Sequence, residues 1–324
     1  MTGAIVIREC GGPDQMVWEE VVVGSPKGGE VRIRHTAIGL NFIDVYHRTG
    51  LYPVTKPFTP GLEAAGVIES IGEGVTSFKV GDRVAYNTGP MGAYSESRLM
   101  PADKIWKLPD SIGDETAAAM ILKGGTVEYL VCRTYPVKAG DWVLFHAAAG
   151  GVGLIAIQWL KSIGANVIGT VGSLEKAKLA KSFGLDHAIL YQDENFVARV
   201  QDITNGQGVD VVYDSIGKDT FIGSLDCLKP LGMMVSFGNA TGPVDPFEPS
   251  LLNQKGSIFL TRPKLMDYYA GSVAFRKGCD TVGEMLISGK IQVNIGQKFT
   301  LKDAPEAHRK LESRGTTGST ILIP

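Results

Sequence analysis

From about residue 125 the chain adopts one rhythm. Short apolar runs, WVLF, NVIGTV, HAILY, VDVVYDSI, MMVSFG and SIFLT, alternate with stretches of helical periodicity. Six strands separated by helices predict a parallel sheet covered on both faces, because parallel neighbours need long crossovers and the helices fill both sides. The first 120 or so residues read differently: MVWEEVVV, EVRIRHTAIG, AAGVIESIGEGV and DRVAYN are separated by Gly, Pro and Asp signals, which predicts a mainly β domain. Beyond about residue 265 the alternation stops, and that tail, with its closing STILIP, is expected to return to the first domain. The division is therefore 1–124, 125–264 and 265–324, a nucleotide-type fold inserted in a split β domain. A chain of 324 residues is long enough for this and to bury a deep cleft.

FHAAAGGVG at 145–153 sits between the first of those runs and a helical pattern. It is a G-x-G-x-x-G loop with Ala148 in the first place and Gly150 and Gly153 in the second and third. A strand turning into a helix here aims free N–H groups and the positive helix end at an anion, and Gly150 lets a pyrophosphate approach the backbone. Alanine replaces the first glycine without loss if that turn needs no positive φ. With 41 glycines a lone pattern is weak. The flanking strand, the repeated units and the helix support dinucleotide binding; Val152, Ile155, Ala156, Trp159, Leu160 and Ile163 form that helix's stripe and Gly164 its stop. Ser173 and Asp219 are the expected caps of two later helices.

The second strand ends about 20 residues on, where NAD-binding folds usually carry Asp or Glu against the ribose 2′-hydroxyl. This chain has Thr170, Val171, Gly172 and Ser173, then Lys176 and Lys178, so a 2′-phosphate has room and NADP(H) is expected. The alternative reading of the lysines is an exposed, solubilising face.

Composition closes off other classes. A net charge of −2 with scattered basic residues argues against nucleic acid and anionic membranes. No apolar run approaches a bilayer span and no signal peptide opens the chain, so a cytoplasmic protein is expected. Cys10, Cys132, Cys227 and Cys279 lie far apart and predict neither disulfides nor structural zinc. His146, on the strand before the loop, is expected to be a structural hydrogen-bonder rather than a catalyst.

PGLEAAGVIESIGEGV, GDRVAY, LKGGTVEYL, HAAAGGVG, YDSIG and VSFGN, in this order, resemble the medium-chain dehydrogenase/reductase superfamily and, within it, the zinc-free quinone oxidoreductases related to zeta-crystallin. NFIDVYHRTGLYP and ESRGTTGSTILIP sharpen the resemblance toward bacterial members. It implies an α/β chain: a GroES-like mainly β domain, a Rossmann doubly wound six-stranded parallel sheet, NADPH in the cleft between them, and a homodimer formed through the edge strand near 257–261. The zinc-dependent relatives carry Gly-His-Glu where this chain has Gly61, Leu62 and Glu63, and a four-cysteine lobe where it reads NTGPMGAYSESRLM, so no metal site is expected.

By the same resemblance Asn41, Asp44 and Tyr46 line the nicotinamide side. Tyr129 and Tyr191 flank the cofactor. Gly150, Gly151 and Val152 meet the pyrophosphate, Gly172, Ser173 and Lys176 the 2′ end, and Ile216, Phe237, Gly238 and Asn239 follow later strand ends. Arg262 and Arg314 are placed near the nicotinamide half, the alternative for each being a surface salt bridge. Tyr46 and Tyr52 are the candidates for positioning substrate, either of which could instead be a packing aromatic; Asn41 and Asp44 could instead only cap a helix. The implied activity is NADPH-dependent, metal-independent reduction of a quinone. The alternatives are an NADPH-dependent enone or alkenal C=C reductase, and a non-catalytic NADPH-binding protein of crystallin-like or RNA-binding role.

Overall fold

A computed structural model describes all residues, 1–324. They divide into two compact units: Met1–Gly125 with Tyr268–Ser288 and Val293–Pro324, and Thr126–Asp267 with Gly289–Gln292.

The first unit opens with an antiparallel pair, β1 (Thr2–Val6) and β2 (Val17–Val21). Then come β3 (Glu30–Leu40), helix α1 (Phe42–Thr49), β4 (Glu63–Ile71), β5 (Arg83–Tyr86), β6 (Ser97–Pro101) and β7 (Trp106–Lys107). Strand β3 shows why the sequence chooses strand: Val31, Ile33, His35 and Ala37 alternate inward, and successive side chains of a strand point to opposite faces. Ile33, Ile38, Ile68, Tyr86, Tyr94 and Met100 close one core around that sheet. Helix α2 (Asp114–Tyr129) carries the chain onward.

The second unit holds β8 (Trp142–Phe145), α3 (Gly151–Ile163), β9 (Asn166–Val171), α4 (Leu174–Ser182), β10 (His187–Leu190), α5 (Phe196–Ile203), β11 (Val209–Asp214), α6 (Phe221–Asp226), β12 (Leu228–Ser236), α7 (Ser250–Gln254), β13 (Phe259–Thr261) and α8 (Leu265–Tyr268). Its six strands run in the order β10-β9-β8-β11-β12-β13 with every ladder parallel. This is the doubly wound order, which reverses beside β8 and brings all strand C-termini to one edge. Leu144, Ile168, Val212, Phe221 and Met234 pack its core. After it, α9 (Gly271–Ile287), β14 (Ile295–Thr300), α10 (Ala304–Glu312) and β15 (Ser319–Ile323) belong with the first unit except for its four-residue exception 289–292. There β15 pairs with β3 and β14, giving the order β14-β15-β3-β4-β5-β7 with β6 against β3.

Three local expectations are corrected. The α6 cap is Thr220, not Asp219; the Asp219 N–H is taken by the Thr241 hydroxyl at 3.2 Å. The last strand begins at Phe259, not Ser257, because Ser257 adopts φ 54° and a left-handed residue cannot enter a ladder. Helix α3 buries more than one stripe: Leu154 and Ile157 are buried as well as Ile155, Ala156, Trp159 and Leu160. Gly164 ends it at φ 95°, a conformation glycine adopts without a Cβ clash.

Candidate functional site

The loop after β8 explains how an alanine replaces the first glycine. Ala148 does not have positive φ; the left-handed residue is its neighbour Ala147, at φ 54°. Ala148 donates its N–H to Thr170 O on β9 at 3.0 Å and is fully buried. Its methyl fills space that Gly169 leaves open: a Cβ on Gly169 would come within 2.6 Å of it. Glycine has in effect moved from the loop to the adjacent strand. Gly153 keeps its expected place, since a Cβ there would lie 2.5 Å from the carbonyl oxygens of Ala147 and Ala148. At Gly150 a Cβ would meet Ala147 O at 3.2 Å. Gly150 is the N-cap of α3, so the N–H groups of Gly151 and Val152 belong to the first turn, which has no intrahelical acceptors. This cradle fits a pyrophosphate.

One strand over, Gly172 and Ser173 lead into α4. A Cβ on Gly172 would lie 3.1 Å from the hydroxyl of Tyr191, immediately after β10, so a larger residue there would push that ring away by a few tenths of an ångström. Ser173 caps α4, its Oγ accepting the Lys176 N–H at 3.3 Å. The sequence reading overlooked Glu175. Its own backbone N–H and the Ser173 hydroxyl hold this exposed carboxyl below its ordinary range, so that hydroxyl already serves a carboxylate. The residues otherwise fit a 2′-phosphate: no acid stands at 170–173, and the helix start and Lys176 are cationic or donating.

Further along the same edge, Asp214 at the end of β11 accepts the N–H groups of Ile216 at 2.7 Å and Gly217 at 3.1 Å. Phe237 packs against Phe145 with the rings tilted and their centres 5.9 Å apart, and Gly238 abuts the Ser215 carbonyl with no room for a Cβ. Asn239 is half-buried beside it. Arg262, just past β13, donates to Ser236 Oγ at 3.0 Å and Gly238 O at 2.8 Å, which ties the ends of β12 and β13 together rather than forming only a surface salt bridge. Tyr129, the last residue of α2, is buried.

In the first unit Asn41 immediately precedes α1, and Asp44 and Tyr46 lie on it. Asp44 caps the helix, its Oδ2 accepting the Asn41 N–H at 2.9 Å. The Asn41 amide instead donates to Glu63 Oε2 at 2.8 Å. Tyr46 is buried and packs edge-on against the half-buried Tyr52, ring centres 5.1 Å apart. Arg314 is exposed and left-handed at φ 59°, just past the Ser313 C-cap of α10.

Around these residues lies a buried ionic network that pattern reading missed. Glu63 is wholly buried, and its carboxylate takes Lys123 Nζ at 2.8 Å and the Leu122 N–H at 2.6 Å besides Asn41. Asp44 is also wholly buried; it accepts the Tyr94 hydroxyl at 3.0 Å, and burial raises its pKa to about 7. Tyr94 lies 3.1 Å from His308 Nε2, and burial lowers His308 to about 3, so that imidazole is neutral. Leu62, beside Glu63, is buried and aliphatic and offers no lone pair to a metal. No group of three His, Cys, Asp or Glu side chains converges anywhere in the chain, and no helix is long and apolar enough to cross a membrane.

Residues 27–110 match the alcohol dehydrogenase GroES-like domain and residues 151–279 the family described as zinc-binding dehydrogenase. A quinone oxidoreductase of Pseudomonas aeruginosa is 49% identical over 325 residues, covering 100% of both chains. A 2-haloacrylate reductase of a Burkholderia species is 46% identical and covers 100% of this chain and 99% of its own. Among solved structures, Escherichia coli quinone oxidoreductase complexed with NADPH has a TM-score of 0.98 at 46% identity, covering 99% of this chain and 100% of the other.

Proposed function

Because the chain belongs to the quinone oxidoreductase family of the medium-chain dehydrogenase/reductases, we propose that it passes reducing equivalents from NADPH to a quinone without a metal ion. The observation that carries the cofactor choice is the end of β9, where Gly172 and Ser173, with Tyr191 from the end of β10 beside them, stand in place of the ribose-binding acid of NAD enzymes. Residues 125–264 take the dinucleotide in this reading, and 1–124 with 265–324 contribute the substrate side. Gly150, Gly151 and Val152 hold the pyrophosphate; Gly172, Ser173, Lys176 and Tyr191 the adenosine 2′ end; Tyr129, Ile216, Phe237, Gly238, Asn239 and Arg262 the remainder of the second unit's contacts. Asn41, Asp44, Tyr46 and Arg314 serve from the first unit.

Bound NADPH supplies the reducing equivalents. The chain's own part is to orient an electrophilic, flat acceptor and to exclude water. Leu62 cannot act as a zinc ligand and Glu63 is committed to Lys123 and Asn41, so Lewis-acid polarisation of a simple carbonyl has no donor set to support it. A quinone spreads arriving charge onto an oxygen that needs only hydrogen-bond donors, a task for which Tyr46 and Tyr52 are proposed. An activated C=C bond makes the same demand, and the Burkholderia relative named 2-haloacrylate reductase favours this as the second reading.

We also propose a homodimer. Strand β13 pairs only with β12, and Phe259 on it is 57% exposed, an uncovered apolar edge that a second copy would continue. Light scattering at micromolar concentration should give twice the 34.6 kDa chain mass; a monomer refutes this. A cytoplasmic location and the absence of nucleic-acid partners are part of the same reading. The activity is tested by NADPH oxidation against quinones, enones and simple aldehydes: turnover confined to aldehydes would overturn it.

A further inference from the structure

The buried imidazole of His146, directly after β8, holds a hydroxyl at each nitrogen: Thr170 Oγ1 lies 2.9 Å from Nδ1 and Ser224 Oγ 2.9 Å from Nε2. Ser224 Oγ also lies 3.0 Å from Asp214 Oδ2, which takes the Thr220 hydroxyl at 2.7 Å as well. The direction of this chain follows from what each group offers. Ser224 donates its one hydroxyl hydrogen to Asp214 Oδ2, which leaves its oxygen only an acceptor toward His146. The Ser224 oxygen then accepts from Nε2–H, and Nδ1 carries no proton and accepts from Thr170. Burial keeps the imidazole below its ordinary range and therefore neutral.

The chain of bonds runs from Thr170 on β9 to His146 after β8, and through Ser224 on α6 to Asp214 at the end of β11, so that it links three neighbouring strands. Each strand is gripped where it gives way to a loop. Thr170 is followed by Gly172 and Ser173, and its carbonyl holds the Ala148 N–H; His146 is followed by the glycine loop; Asp214 holds the N–H groups of 216 and 217. We propose that His146 is a positioning residue, fixed as the Nε2–H tautomer, which sets the spacing of these three loops and through Thr170 the fit for a 2′-phosphorylated adenosine. This rests on the NADPH reading above.

Two substitutions divide the network. His146→Gln keeps a donor for Ser224 and removes the acceptor for Thr170; His146→Asn keeps an acceptor near Nδ1 and removes the donor to Ser224. Calorimetry on the full chain with adenosine 2′,5′-bisphosphate and with adenosine 5′-monophosphate reads the outcome. The Gln variant should bind the bisphosphate about tenfold more weakly, the size of one net hydrogen bond, while monophosphate binding changes less than about twofold. The Asn variant should keep bisphosphate binding within about twofold. In the wild type, ¹⁵N NMR should show Nδ1 unprotonated and Nε2 protonated, a readout that needs no variant to fold. An Nδ1–H tautomer, or equal loss of both ligands in both variants, overturns the proposal. A wild-type chain that binds both ligands equally overturns the NADPH reading and the 2′-phosphate role of His146 with it, while the tautomer is still decided by NMR.

Discussion

Exchanging the glycine and alanine at positions 148 and 169 tests whether the loop's missing glycine was relocated rather than lost. Ala148→Gly removes one buried methyl, about 0.8 kcal/mol, and adds about 0.5–1 kcal/mol of backbone entropy, a loss of about 1.5 kcal/mol. It should bring no gain in NADPH affinity, since residue 148 is not left-handed. Gly169→Ala sets a methyl 2.6 Å from the Ala148 Cβ and 2.9 Å from Leu185 Cδ1, about 1 Å inside ordinary carbon contact, and overpacking of that kind costs about 1–3 kcal/mol. In the double variant the backbone-held methyl at 148 is gone and only the Leu185 methyls, at the end of a rotatable side chain, must yield. Urea unfolding followed by tryptophan fluorescence suits the measurement, because Trp142 opens β8 and Trp159 lies on α3. The double variant should lie within about 1 kcal/mol of wild type, a favourable coupling of about 2 kcal/mol. Additivity of the two single losses within about 0.5 kcal/mol would refute the exchange.

Lys123→Met leaves Glu63 buried and uncompensated and should destabilise the first unit by about 3–5 kcal/mol in urea unfolding, with most of the loss recovered in Lys123→Met/Glu63→Leu. Asp44 has a folded pKa of about 7 against an ordinary 3.8, so its contribution is fully present below about 4 and is lost as pH rises through 7. Asp44→Asn should therefore gain stability relative to wild type across that window, by up to about 1.4 kcal/mol per pH unit, whereas the opposite acid-side slopes from His35 and His308, both held near 3, are common to the two proteins and cancel. Glu175→Gln removes a carboxylate that shares the Ser173 hydroxyl; NADPH should bind more tightly and NADH unchanged, as read by fluorescence titration.

What the sequence made legible was what is written locally. Six apolar runs, a glycine loop and an amphipathic helix fixed the parallel sheet and the place of its loops, because periodicity and glycine act over a few residues. The residues proposed for the cofactor in the second unit, from Gly150 to Arg262, lie at strand ends or in the helix starts that follow them, along one edge of the sheet, as a doubly wound sheet requires. The network around Glu63 and Lys123 was not legible, because its partners stand 60 residues apart in two separate motifs and nothing in either one marks the other as its partner. The relocation of glycine to 169 was hidden for the same reason: it is visible only once β8 and β9 are known to pair. Small displacements, the cap at Thr220 and the strand start after Ser257, turned on one hydrogen bond and one dihedral, below the resolution of any pattern. Glu175 lies in the first turn of α4, past the strand end where NAD-binding folds carry their acid.

The most direct test of the account is the ratio of kcat/KM for NADPH over NADH with a quinone as acceptor. Charge-assisted bonds from the α4 start and Lys176 to the 2′-phosphate predict a preference of about 10- to 100-fold for NADPH. Equal turnover with the two cofactors would contradict it.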